Sequence, residues 1–172
     1  MAKNRWIQVV TMLFVIGIIS VLVINIKNQG DIVGVGDEAY EFQLEDEEGK
    51  MYQLSDYKGK PVVLNFFSTW CKSCHTQAPS MIRFEQEVAD DVQVFTVVRS
   101  ESPRALEQYL ERTGFTDRLY IFDFDTEVSD RYGVVGQPET IIIDEDGIIV
   151  NHIMGPISGE EVGDIIKEIS KS

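Results

Sequence analysis

The chain has 172 residues, with 29 acidic against 15 basic side chains and a formal net charge of −14. All the acids lie beyond residue 30, together with 12 of the bases, so that part alone carries −17, which argues against binding nucleic acid or anionic lipid. The 142 residues beyond position 30 can bury close to two-thirds of their unfolded surface, and a chain of that size needs no disulfide to hold a core together.

Taken in chain order, residues 1–5 are a short basic leader. Trp6 to Ile26 follows, 21 residues without a charge. At about 1.5 Å per helical residue, about 20 such residues span a bilayer core of about 30 Å. The run exceeds the roughly 7–15 apolar residues of a cleaved signal peptide, and no Ala-x-Ala-like site follows it. The expectation is an uncleaved transmembrane signal anchor over residues 6–26. Lys3 and Arg5 before the span outweigh Lys27 after it, which predicts a cytoplasmic N-terminus and an extracytoplasmic remainder. Residues 27–36 then read as a linker and 37–172 as the folded domain.

Within that domain, Tyr40–Leu44 and Met51–Leu54 flank the turn Asp46-Glu47-Glu48-Gly49, which predicts a β-hairpin. Val62–Phe67 is a nearly continuous apolar run of the kind buried on both faces of a sheet. A helix follows over 71–89 with Pro79 inside it, and then a second buried strand over 92–98. Ser102-Pro103 opens a helix that Gly114 closes. Leu119–Phe122 predicts a short strand and Thr126–Tyr132 a short helix. Glu139–Asp144 and Ile148–Met154 form a pair about the turn Asp144-Glu145-Asp146-Gly147. Ser158 and Glu161 make a capping box for the last helix. Alternation of strand, helix and strand implies an α/β sheet with parallel neighbours in the middle and an antiparallel closing edge.

The two cysteines of the chain stand three apart in Trp70-Cys71-Lys72-Ser73-Cys74, between the first buried strand and the first helix. A cysteine at a helix N-terminus meets the positive end of the helix dipole and free N–H groups, which favour thiolate over thiol. In such motifs the thiol pKa falls from about 8.5 to roughly 3.5–7.5. Cys71 is therefore the candidate nucleophile of disulfide exchange, nearer the surface, and Cys74, a turn deeper, the resolving thiol. Lys72 adds positive charge to the thiolate environment, and Trp70 offers a flat apolar shield or client contact. A ring this small removes little unfolded-state entropy, so a purely structural disulfide is poorly supported. Zinc usually wants four ligands, and only His75 and His152 remain as soft candidates, so no metal is expected. Both histidines read as surface or packing residues.

The second candidate element is Gly136-Gln137-Pro138-Glu139-Thr140, at the head of an apolar strand. A cis Gln137–Pro138 bond there would leave the Gln137 backbone open at the sheet edge, where an extended client could add as a strand. Glu139 is a candidate acceptor for the Cys74 proton.

Taken together, the hairpin with Gly49-Lys50, the run Gly59-Lys60-Pro61-Val62-Val63-Leu64-Asn65-Phe66, Trp70-Cys71-x-x-Cys74, Pro79 and Tyr132-Gly133-Val134-x-Gly136-x-Pro138-Glu139-Thr140 resemble the membrane-anchored thiol-disulfide oxidoreductases of the TlpA/ResA/CcmG (DsbE) group. The resemblance covers residues 34 to 170. It implies a thioredoxin-like three-layer fold with an N-terminal β-hairpin, and a cis-proline at Pro138 that binds clients. It implies no cofactor beyond a redox-active Cys71–Cys74 disulfide. The implied activity is reduction of disulfides outside the membrane, with the haem-binding cysteines of apocytochromes c as clients in cytochrome c biogenesis. The implied electron donor is a membrane protein of the CcdA/DsbD type. Three positions depart from the group or from its cytosolic relatives. Gln77 stands where the group often has Glu, Lys72-Ser73 lack the common proline, and Asn65 stands where cytosolic thioredoxins bury an acid.

Two other readings share these residues. A thiol peroxidase resembling peroxiredoxins would need a Pro-x-x-x-Thr/Ser-x-x-Cys motif, which is missing around Cys71. A copper-binding assembly factor would need Cys-x-x-x-Cys and a distant histidine. The spacing here is one residue short, although His152 is available.

Overall fold

The computed structural model describes residues 6, 9–20 and 31–169. They belong to two compact units, divided between Asp31 and Ile32. In the first unit residues 9–20 are helical. Among the described residues no helix is long and apolar enough to cross a membrane. The anchor expected over 6–26 extends onto residues 7, 8 and 21–26, which lie outside the described residues, as do 1–5 and 27–30. The linker expected up to residue 36 ends earlier. Val33 already donates its N–H to Arg131 O (2.9 Å) and Gly36 to Ile149 O (2.8 Å), so the second unit begins at Ile32 rather than 37.

Strands β1 (Gln43–Asp46) and β2 (Met51–Gln53) are the predicted hairpin, with β1 beginning three residues later than expected and running into the expected turn as far as Asp46. A single 3-10 turn, Leu54–Tyr57, leads to β3 (Val62–Phe67), all six residues of which are buried. Then come α1 (Lys72–Val88), β4 (Gln93–Arg99), α2 (Pro103–Thr113), β5 (Tyr120–Asp123), α3 (Glu127–Arg131), β6 (Glu139–Ile143), β7 (Ile149–Met154) and α4 (Gly159–Ile169). The strands form one sheet in the order β2-β1-β5-β4-β3-β6-β7. The β3/β4 and β4/β5 pairs are parallel, and the β6/β7 edge is antiparallel as the sequence predicts.

Side chains alternate across a strand, so each strand feeds two layers. On β3, Leu64 and Phe66 enter one core with Phe95, Ile121, Tyr132 and Ile141. Val63 enters the opposite core with Met81 and Phe84 of α1 and Val162 and Ile166 of α4. The result is the expected three layers. Gly159 lets α4 approach α1, because a Cβ there would lie 2.3 Å from Ser80 O.

Asn65 points to the α1 side. Its amide nitrogen donates to Thr140 Oγ1 (3.0 Å), and its oxygen accepts from Arg118 Nη2 (3.2 Å). Arg118, its side chain 1% exposed, also donates to Glu85 Oε1 at 2.7 Å. Burial pushes the Glu85 carboxyl above its ordinary range even with Arg118 against it. Asn65 therefore sits within a buried polar chain, with the acid supplied from α1 instead of β3.

Candidate active site

Two loops build the site. The first, Ser68–Cys71, leaves the end of β3 and enters α1. Cys71 is the N-cap of α1, and its Sγ accepts the N–H of Cys74 (3.1 Å), the contact that favours sulfur charge at a helix start. Cys71 and Cys74 are joined as a disulfide. Their exposures, 5% and 3%, do not separate them, contrary to the expectation that Cys71 is nearer the surface. What distinguishes Cys71 is its position at the cap. Trp70 is 72% exposed, so most of its indole faces solvent. Lys72 is exposed on the first turn. Gln77, a turn past Cys74, is buried, and neither atom of its amide finds a partner among the described residues.

Thr69 fixes this loop. Its N–H and hydroxyl both donate to Glu101, at 2.9 and 2.5 Å. Its carbonyl accepts from His75 Nε2 (2.8 Å), and the His75 ring lies 4.9 Å from that of Tyr109. A carbonyl cannot donate, so the His75 proton sits on Nε2.

The second loop runs from Val134 to Pro138 into β6. The Gln137–Pro138 peptide is cis, as the resemblance implies. The Pro138 carbonyl accepts from Gly155 N (2.9 Å), whereas Gln137 has no hydrogen-bond partner among the described residues. Glu139 heads β6 opposite Phe66, on the same face as Ile141 and therefore on the face away from α1. It is 2% exposed. One carboxylate oxygen accepts from Val135 N (3.0 Å) and Gly136 N (2.7 Å), and the other from His152 Nε2 (2.7 Å). The site thus brings Cys71 and Cys74 together on α1, places Pro138 at the head of β6, and turns the Glu139 carboxylate to the opposite layer. Glu101, His75 and His152 were not read from the sequence as part of the site. The two histidines, expected as surface or packing residues, each hold a site loop.

Residues 35–152 match the AhpC/TSA family. The chain belongs to that family. Within it the chain is 34% identical to thiol-disulfide oxidoreductase ResA of Geobacillus thermodenitrificans over 146 residues, covering 84% of this chain and 83% of the relative. It is 30% identical to the ResA of Bacillus thuringiensis subsp. konkukian over 173 residues, 99% of each chain. Among solved structures, a putative thiol:disulfide interchange protein DsbE from Chlorobium tepidum superposes with a TM-score of 0.72 at 26% identity, covering 80% of this chain and 98% of that one. With these relatives and a Cys71–Cys74 disulfide capping a helix, the chain is a dithiol-disulfide oxidoreductase.

Proposed function

We propose that the protein is a membrane-tethered, extracytoplasmic thiol-disulfide oxidoreductase that reduces client disulfides, apocytochrome c cysteines among them, and is itself reduced by a membrane dithiol donor of the CcdA/DsbD type. The observation that carries the chemistry is the Cys71–Cys74 disulfide at the cap of α1, with Cys71 Sγ accepting the Cys74 N–H. The uncharged run at 6–26 supports the tether, and the ResA-type relatives support the reaction class.

In the reduced protein the Cys71 thiolate attacks one sulfur of the client disulfide. A Cys71–client bond forms, the client S–S bond breaks, and one client sulfur leaves as thiolate. Cys74 loses its proton and attacks Cys71 Sγ. The Cys71–Cys74 bond reforms and the second client sulfur leaves, so two electrons pass to the client. Lys72 and the helix dipole favour the Cys71 thiolate. Pro138 and the unpartnered Gln137 backbone receive the client chain beside Cys71, as in strand addition.

Replacing the resolving thiol tests this. Full-length Cys74→Ser, expressed in its membrane, is expected to hold clients covalently on Cys71, released by dithiothreitol and identified by mass spectrometry, while Cys71→Ser holds none. Recovery of only glutathione from Cys74→Ser overturns the assignment to protein clients. Deleting residues 2–26 removes export signal and tether together and is expected to leave the protein soluble in the cytoplasm, while the full-length chain stays with the membrane.

A further inference from the structure

Between its buried ends, Val134 and Pro138, the loop that receives the client has no apolar anchor. Val135 is 81% exposed, Gly136 has no side chain, and Gln137 has no partner among the described residues. What fixes the loop is one carboxylate. Glu139 reaches back over the cis peptide and takes the N–H groups of Val135 and Gly136 on a single oxygen, at 3.0 and 2.7 Å. Its other oxygen takes the proton of His152 Nε2 at 2.7 Å from the neighbouring strand. A carboxylate left 2% exposed must be fully hydrogen-bonded to be tolerated, and these three donors satisfy it.

We propose that Glu139 and His152 are positioning residues for the client: together they brace the Val135–Gly136 backbone, so that the open Gln137 after it is presented to an extended chain beside Cys71. The idea rests on the client-binding role given above to the Gln137–Pro138 segment. It assigns Glu139 a place in binding, not in moving the Cys74 proton. The carboxylate faces the sheet layer opposite α1, and three of its about four lone-pair positions are taken up by the loop and by His152. His152 acts through Glu139. It orients the carboxylate from β7, where its side chain is 20% exposed.

The test is steady-state reduction of a synthetic peptide closed by a Cys-x-x-Cys disulfide and flanked by five residues on each side, with dithiothreitol as donor. Wild-type turnover of this peptide tests the proposed chemistry, and the variants test the brace. Glu139→Ala removes both loop contacts and is expected to raise KM about tenfold, with kcat within about twofold of wild type. His152→Ala, which leaves the loop contacts but frees the carboxylate, is expected to raise KM about threefold. Glu139→Gln keeps an oxygen for the two N–H groups in the same volume, and it is expected to restore KM to within about twofold of wild type. An unchanged KM in a folded Glu139→Ala overturns the brace. So does a loss of kcat shared by Glu139→Ala and Glu139→Gln at unchanged KM, which would mark the carboxylate as a proton carrier. Should Glu139→Ala fail to fold, Glu139→Gln and His152→Ala still decide. Glu139→Gln close to wild type with a raised KM in His152→Ala supports the brace. Wild-type KM in His152→Ala overturns it.

Discussion

The loop that leaves β3 and the loop that enters β6, at the paired ends of these two strands, are held in place by similar parts used differently. Each is fixed by one glutamate and one histidine, and each fixing is made almost wholly to backbone groups. In the loop ahead of Cys71 every polar group of Thr69 is consumed, its N–H and hydroxyl by Glu101 and its carbonyl by His75. In the loop ahead of Pro138 the brace stops at Gly136, one residue short of the cis bond. Gln137 is left with its backbone open among the described residues. The difference suits the roles proposed above for the two loops. A nucleophile must be placed in advance with no freedom left over. A strand-adding segment must be placed and yet keep its own donors and acceptors for the incoming chain.

The comparison is sharpened first by a substitution that touches neither loop. A Cβ at Gly159 would lie 2.3 Å from Ser80 O and 2.6 Å from Phe84 Cβ, so Gly159→Ala forces α4 away from α1. Overpacking of this kind costs about 1–3 kcal/mol. Calorimetry is expected to find a melting temperature lower by several degrees, with KM and kcat for the peptide disulfide unchanged. If kinetics fell with stability, the loops would owe their shape to the general packing of the layers and not to their own braces.

A smaller effect is expected when the sulfur loop alone is loosened. Glu101→Ala strands the Thr69 N–H and hydroxyl, each partly buried. The expected result is a drop in kcat of about tenfold with KM within about twofold, since roughly 1.4 kcal/mol of placement is lost at the attacking sulfur. That is the mirror image of Glu139→Ala, where KM moves and kcat does not. Equal effects of both variants on both constants would erase the division of labour between the loops.

Why the braces escaped a reading of the sequence is itself physical. The order of elements, the buried β3, the caps of α2 and α4 and the closing hairpin were all legible, because propensity, period and turn chemistry act over a few residues. The Cys71–Cys74 pair at a helix start was legible for the same reason, whereas the cis bond at Pro138 came from the family resemblance. Glu101 lies 32 residues from Thr69, and no local pattern connects them. His152 was hidden by a single-residue irregularity. Counting back from the turn, with Ile143 opposite Ile149, places His152 opposite Thr140, on the α1 side of the sheet. A register shift between Ile142 and Ile143 moves it opposite Ile141, onto the face of Glu139. One extra residue in a strand reverses which face every later side chain takes. The signal available was Glu139 itself, an acid at the head of a strand that ends in three isoleucines, whose burial requires a partner.

The smallest expected effect concerns the one large side chain that the sulfur loop gives away. Trp70 is 72% exposed and Val135, on the other loop, 81% exposed, so each presents apolar surface to solvent. Exposed tryptophan offers a rigid, flat contact at low entropic cost, which is why it recurs where proteins grip partners. Trp70→Ala removes that contact without opening a cavity, so the melting temperature is expected to hold. KM for the flanked peptide is expected to rise about threefold, equivalent to about 0.65 kcal/mol. Shortening the flanks of the peptide to one residue should shrink the effect toward nothing, because the indole would then have no chain to lie on. If the loss persisted with the short peptide, Trp70 would be acting on the sulfurs rather than on the client, and the loop ahead of Cys71 would be as closed to the client as its saturated Thr69 suggests.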